Sequence, residues 1–202
     1  MIEILAALGR TFGFSFAAGI NLYATVAILG LAKRYGWVQL PEQFAVFDHD
    51  IVIGAAVILY VVEFVADKIP WVDSLWDAVH TVIRPVGGAL IAVGTLGEAS
   101  PMVEGLVALL GGTVAAGSHF SKAGTRAVAN TSPEPFSNWI LSISEDAFVI
   151  GLAALALKYP AAAAVVVLVG VLLMIVFAAW IVAAVRRRWS RPVAVGFHSR
   201  GP

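Results

Sequence analysis

The sequence predicts an all-α polytopic membrane protein with about six hydrophobic segments, and three observations carry that prediction. Hydrophobic residues fill 60% of the 202 positions and charged residues only 13%, with a mean hydropathy of +0.89, far from the averages of soluble domains. Residues 160–185 carry no charge, and as a helix they extend about 39 Å, more than the ~30 Å hydrocarbon core of a bilayer. Finally, a pattern occurs twice: Ala17-Ala18-Gly19 with Pro41-Glu42-Gln43-Phe44 downstream, then Ala115-Ala116-Gly117 with Pro133-Glu134-Pro135-Phe136 downstream. Ile53-Gly54-Ala55-Ala56 against Ile150-Gly151-Leu152-Ala153 extends the echo. A repeat with three spans reverses its orientation, so the pattern predicts two inverted three-segment halves, 1–100 and 101–191, with broken or re-entrant helices. The alternative is coincidence, since glycine and alanine abound in this chain.

Taken in order, the segments lie near 4–33, 50–68, 77–97, 103–128, 137–158 and 160–186. The first contains the uncharged run 11–32 and is closed by Gly36 and Pro41. The second and fifth have uncharged cores of only 51–62 and 147–157, lengths that also suit re-entrant or half-span helices. Pro70 follows the second, Pro101 precedes the fourth, Pro133 and Pro135 precede the fifth, and Pro160 opens the last, each where a helix starts or stops most readily. No linker divides residues 1–191, which read as a single integral membrane domain. Residues 192–202 mix Gly, Pro and Ser with isolated apolar residues and read as a short polar tail. Glu3 near the start and the long apolar stretch after Arg10 argue against a cleavable signal peptide.

Charge placement says more than the net charge of zero, which gives no global bias towards nucleic acid or anionic surfaces, and no nucleic-acid partner is expected. If both termini are cytoplasmic, Arg10, Lys68, Lys122, Arg126, Arg186, Arg187, Arg188 and Arg191 lie inside, against Lys33, Arg34 and Lys158 outside. The positive-inside rule therefore predicts both termini in the cytoplasm of a cell whose membrane holds the chain. The chain has no cysteine, which excludes disulfides, thiolate metal sites and cysteine nucleophiles.

Gly19 and Gly117, with Asn21 and His119 beside them, mark expected helix breaks. Broken helices in a membrane free backbone groups and are tolerated chiefly where they line a cavity. The alternative is close helix packing through small residues, which needs no ligand. His119, Lys122 and Arg126 recur at helical spacings of three and four and form one basic stripe. At membrane depth each charge costs about 2.5–3.5 kcal/mol, so the stripe must be paired or face a polar ligand. Arginine suits bidentate bonding to phosphate or carboxylate, with lysine as a point charge. A solvated helix end is the other reading. Partners are at hand in Glu63 and Asp67, spaced i and i+4, and in Glu145 and Asp146 in the middle of the fifth segment. One of the latter pair can balance charge or carry a coupling proton.

Asp73, Asp77, His80 and Arg84 share a further helical face. Paired aspartates at this spacing hold magnesium against diphosphates in membrane prenyltransferases, but the other acidic elements of such enzymes are missing here. The same face also reads as an interfacial polar network with Trp71 and Trp76 at head-group depth.

Three stretches resemble a small bacterial membrane family catalogued as domain of unknown function 4126. They are Ala17-Ala18-Gly19-Ile20-Asn21-Leu22-Tyr23-Ala24-Thr25, the run Val62-Glu63-Phe64-Val65-Ala66-Asp67-Lys68-Ile69-Pro70-Trp71-Val72-Asp73-Ser74-Leu75-Trp76-Asp77, and residues 118–126. The resemblance spans nearly the whole chain and implies an intact membrane domain without implying a reaction or ligand. A looser resemblance to lipid-translocating families with paired re-entrant hairpins rests on the duplicated, broken helices.

The resulting expectation is a transporter-like protein with a central polar site. Asn21, His119, Lys122, Arg126, Glu145 and Asp146 would contact a phosphate-bearing lipid or small organic anion. Glu63, Asp67, Asp73, Asp77, His80 and Arg84 would form a supporting polar network. Membrane lipids are the expected partners, and no cofactor, resident metal or catalytic residue is expected. The competing readings are a noncatalytic membrane scaffold and a magnesium-dependent lipid-phosphate enzyme built on Asp73 and Asp77.

Overall fold

The computed structural model describes residues 2–40, 42–131 and 135–189. Pro41, Pro133, Glu134 and the 192–202 tail lie outside the described residues. Seven α-helices and one 3-10 turn are found among them: α1 Ile2–Ile20, α2 Leu22–Arg34, the 3-10 turn Glu42–Asp48, α3 Asp50–Ala66, α4 Pro70–Leu96, α5 Pro101–Ala129, α6 Pro135–Lys158 and α7 Pro160–Trp189. The described residues contain no strand.

Helix boundaries follow local chemistry. Pro70, Pro101, Pro135 and Pro160 each open a helix, where a missing N–H goes unmissed and the fixed φ suits the first turn. Gly97 closes α4 with φ 84°, and Gly36 follows α2 with φ 58°, both in the left-handed region that favours glycine. The helix α4 starts seven residues before the expected third segment. Its first half carries Asp73, Asp77, His80 and Arg84, which lowers its hydropathy although all four are buried.

Four helices are long and apolar enough to cross a membrane: Pro70–Leu96, Pro101–Ala129, Phe136–Lys158 and Pro160–Ala184. Their outward faces are apolar. Val165, Leu168, Leu172, Leu173, Ile175 and Val176 of α7 are exposed, while Glu63, Arg84 and His119 have no exposed surface at all. Apolar outside and charged inside is the arrangement expected of a protein solvated by lipid. The fold is thus an all-α membrane bundle.

The first expected segment is two helices. Asn21 has extended backbone, φ −144° and ψ 98°, and its side-chain oxygen accepts from Ala24 N at 2.9 Å to cap α2. This one residue turns the chain back on itself. Along α1, Thr11 Oγ1 meets Thr95 Oγ1 at 3.2 Å and Ser15 Oγ donates to the Gly88 carbonyl at 3.1 Å, so α1 runs antiparallel to α4. Then Leu22 packs on Gly87, and Gly30 packs on Phe47, whose ring reaches Gly94, so α2 returns parallel to α4. The half-span hairpin therefore lies in the first segment. The fifth, expected as a candidate for such a role, is the full-length α6.

Helix α1 is central, with α4, α5, α6 and α7 packed around it and Phe14, Ala17 and Ala18 fully buried. Small residues permit close approach. A Cβ at Gly9 would strike the Pro160 carbonyl, one at Gly13 would press on Ala156 and Ala163, and Gly170 receives the ring of Phe16. The register 9 to 160, 13 to 163 and 16 to 170 makes α1 and α7 parallel. The start of α1 and the end of α7 consequently lie at opposite ends of the bundle, not on the shared side that charge counting predicts.

The doubled Ala-Ala-Gly motifs also meet in an unexpected way. A Cβ on Gly19 would collide with the Ala115 carbonyl and the Ser118 hydroxyl, and Gly111 lies against Ser15. Helices α1 and α5 are therefore neighbours that run in the same direction, whereas inverted repeats require these copies to be opposed. The expected break at Gly117 is also absent. Helix α5 continues through it from Pro101 to Ala129, and Gly117 makes room for Met174 of α7. Gly19 lies inside α1, two residues before the break at Asn21.

Candidate functional site

The tip of the α1–α2 hairpin points into a buried column of ionisable side chains. Helix α3 and the turn after it bring Glu63 and Asp67, α4 brings Asp73, Asp77, His80 and Arg84, α5 brings His119, Lys122 and Arg126, and α6 brings Glu145 and Asp146. Glu63, Asp67, Asp73, Asp77, Arg84, His119, Lys122, Arg126 and Glu145 are joined by ion pairs and hydrogen bonds, and Asn21 with Asp146 and His80 with Tyr23 form two pairs beside them. The expected site and its supporting network are not separate layers.

The deepest part is built on Arg84. Its Nη2 donates to Glu63 Oε1 at 2.7 Å, and its Nη1 to Asp77 Oδ1 at 3.1 Å and to His119 Nδ1 at 2.7 Å. A guanidinium only donates, so His119 Nδ1 must be an acceptor and the ring proton sits on Nε2. That proton is directed at Thr81 Oγ1, 3.1 Å away, and Thr81 passes its own hydrogen to the Asp77 carbonyl at 3.0 Å. His119 is therefore a neutral ring held as a single tautomer, not a cation in a basic stripe.

Lys122 occupies the middle. Its Nζ donates to Glu63 Oε1 at 3.1 Å, Asp67 Oδ2 at 3.3 Å and the Ile20 carbonyl at 3.3 Å. The last contact ties it to the broken end of α1, where a carbonyl has lost its helical partner. Arg126 forms the outer part. It grips Glu145 through Nε and Nη2, donates to Asp67 Oδ2 at 3.0 Å, and donates from Nη1 to the Asp67 carbonyl at 2.7 Å. Asp73 stands 3.8 Å from Arg126 and accepts from Asn130 Nδ2 at 3.0 Å. The basic stripe is thus buried and paired, as residues with this cost of insertion require.

Two partners connect the column to the hairpin tip. Asn21 Nδ2 donates to Asp146 Oδ1 at 3.1 Å, while the opposite end of the same amide caps α2. The Tyr23 hydroxyl lies 2.8 Å from His80 Nε2, whose Nδ1 faces the Trp76 carbonyl at 2.7 Å. His80 stacks on Trp76 with ring centroids 4.5 Å apart. Thr81 and Asn130 were not legible as site residues, because their partners lie 38 and 57 positions away and no local spacing encodes such pairs.

Asp73 and Asp77 each have a partner within the protein. Asp77 is bound to Arg84 and Asp73 to Asn130, and no three His, Cys, Asp or Glu side chains converge to hold a metal ion among the described residues.

A recess of about 230 Å³ reaches the column from the side, lined by Ser118, Ser121, Lys122, Thr125 and Glu145 with Phe16, Ile20 and Leu141. Phe16, Ile20, Ser121 and Thr125 also line a larger apolar crevice of about 500 Å³, whose far wall is α7 from Val165 to Phe177.

A lipid-facing helical bundle enclosing a buried ion network defines this protein as an all-α membrane protein. Residues 8–181 match the family described as Domain of unknown function (DUF4126), and the chain belongs to that family. Neither the curated proteins nor the solved structures include a match.

Proposed function

We propose that this chain is a transporter-like protein of the cell membrane in which the buried column carries protons during the movement of a substrate past the α1–α2 hairpin. The observation that carries this reading is a charge surplus. Arg84, Lys122 and Arg126, with Lys68 near Asp67 and Asp146, face Glu63, Asp67, Asp73, Asp77, Glu145 and Asp146, four cations against six carboxylates. A low-dielectric interior does not hold uncompensated carboxylates, so protons or bound cations make up the difference. Glu63 Oε2 and Asp73 Oδ1 are buried without hydrogen-bond partners, and Asp146 is hydrogen-bonded by the uncharged Asn21 and Tyr60, which gives such protons specific atoms to occupy.

A substrate with a net negative charge finds less support. Lys122 and Arg126 direct their hydrogens at carboxylates and carbonyls, so neither takes an anion without weakening an ion pair. A static scaffold is the competing reading, in which the column only holds helices together. For orientation, the arginine-rich end of α7, together with Lys68, belongs in the cytoplasm. At the other end, Arg34 is neutralised by Asp48 and Asp50 at 2.9 and 2.7 Å.

Purified protein in vesicles containing a pH-sensitive dye tests the reading. An imposed pH gradient should dissipate faster than in empty vesicles, and Asp146→Asn should return the rate to that of empty vesicles while the protein keeps its thermal unfolding transition. Wild-type vesicles as proton-tight as empty ones in every lipid mixture and substrate tried would leave the scaffold reading standing.

A further inference from the structure

The crevice and recess beside the column have the form of a site for one lipid. The apolar part lies between α1, α5, α6 and α7, with Phe16, Phe148, Val165, Val169, Leu173 and Phe177 in its walls. Val165 and Phe177 are about 18 Å apart along α7 at 1.5 Å per residue, close to the ~15 Å of one leaflet's hydrocarbon. At the Phe177 end, Ser121 and Thr125 belong to both cavities, so the apolar crevice opens directly into the polar recess. A chain of leaflet length placed in the crevice would put its head group against Glu145.

Hydrogen-bond supply in the recess sets the head-group chemistry. Ser118 donates to the Phe16 carbonyl at 2.9 Å, Ser121 to the Gly117 carbonyl at 3.0 Å, and Thr125 to the Ser121 carbonyl at 2.9 Å. Lys122 and Arg126 direct their hydrogens at Glu63, Asp67, Glu145 and two carbonyls. Acceptor lone pairs remain, on Ser121 Oγ, Thr125 Oγ1 and the Glu145 carboxylate. Glu145 is also the most open charge in the recess, 15% exposed against 2% for Lys122 and 1% for Arg126. A site rich in acceptors selects a donor, and beside the Glu145 carboxylate a charged ammonium is favoured over the neutral hydroxyls that other lipid head groups offer.

We infer that this lateral recess binds a lipid whose head group carries a primary ammonium, held by Glu145, Ser121 and Thr125 with an acyl chain in the crevice. The inference rests on the transporter-like reading for its purpose, because it names the substrate class or resident lipid of that site. Its test is binding alone.

Delipidated protein is titrated in detergent with phosphatidylethanolamine and with phosphatidylglycerol of identical chains, and retained lipid is counted by native mass spectrometry. Phosphatidylethanolamine should be retained about tenfold more tightly, the value of one charge-assisted hydrogen bond. Val169→Trp, which fills the crevice from an exposed position away from the ion column, should reduce retention of both lipids. Glu145→Gln should remove the preference between them. Equal retention of the two lipids, tighter retention of phosphatidylglycerol, or a Val169→Trp protein that binds as wild type overturns the site. Selective lipid retention in a protein that moves no protons would separate this inference from the functional reading, which alone would then fall.

Discussion

At the scale of single residues, Lys122 shows how a membrane interior uses charge. Its side chain is 2% exposed and touches two carboxylates and the carbonyl at the end of α1, so its removal takes one cation from a column already rich in carboxylates and leaves Glu63 to Arg84 alone and Asp67 to Arg126 alone. Breaking a buried pair from one side costs more than the pair itself contributes, since the remaining charge stays buried. Lys122→Met should lower the stability in detergent by about 3–5 kcal/mol, read from thermal or denaturant unfolding. A loss below the error of that measurement would mean that the column is hydrated and its charges are screened. His119 makes the complementary case. Its Nδ1 accepts from Arg84, so its role here depends on remaining neutral, and no count of basic residues along α5 reveals that. Sequence spacing correctly placed His119, Lys122 and Arg126 on one face, but the sign of the surface they present was decided by carboxylates from α3, α4 and α6.

At the scale of elements, the α1–α2 hairpin depends on two residues with different duties. Gly19 lets α1 lie against the α5 backbone at Ala115 and Ser118, and Asn21 both caps α2 and holds Asp146. Gly19→Val inserts a branched side chain where there is no room, and overpacking of this kind costs about 1–3 kcal/mol. Asn21→Ala removes a cap worth about 1 kcal/mol and leaves Asp146 Oδ1 without its donor. Both variants should unfold at lower temperature. Only Asn21→Ala should also alter proton movement in vesicles, because only Asn21 touches a carboxylate, and an equal effect of Gly19→Val on that rate would assign the break a purely packing role. The break itself was half legible. Glycine and asparagine marked where a helix can open, yet the same signal at Gly117 lies in an unbroken helix. Glycine permits both a bend and close packing, and only the neighbour decides which one is realised: Met174 occupies the space at Gly117.

At the scale of the whole molecule, a hairpin that enters and returns changes the parity of the fold. With α2 reversed, the start of α1 and the end of α7 lie at opposite ends, and the absence of cysteine makes this simple to test. Single cysteines replacing Glu3, Glu98 and Arg187 should react with a membrane-impermeant maleimide in two classes. Glu3→Cys and Glu98→Cys should label from one side of the membrane and Arg187→Cys from the other. Labelling of positions 3 and 187 from the same side would contradict the reversal at Asn21. The bundle also explains why the site contains residues from four helices and a turn. Each helix turns its charged face away from lipid, and these faces can only meet at the centre, around the hairpin tip.

The sequence by itself determined that this protein is a helical membrane domain, where most of its helices begin and end, and which polar side chains it must hide. These properties follow from run length, proline placement and the cost of exposing charge to lipid, all local quantities. Tertiary structure alone decided the direction of α2, the parallel contact of the two Ala-Ala-Gly motifs and the acceptor-rich character of the recess. Each of these depends on which distant group fills a given space. Helix polarity after a one-residue break turns on a single pair of dihedral angles, and the sign of a buried site turns on pairings between residues up to 125 positions apart, neither of which leaves a period in the sequence.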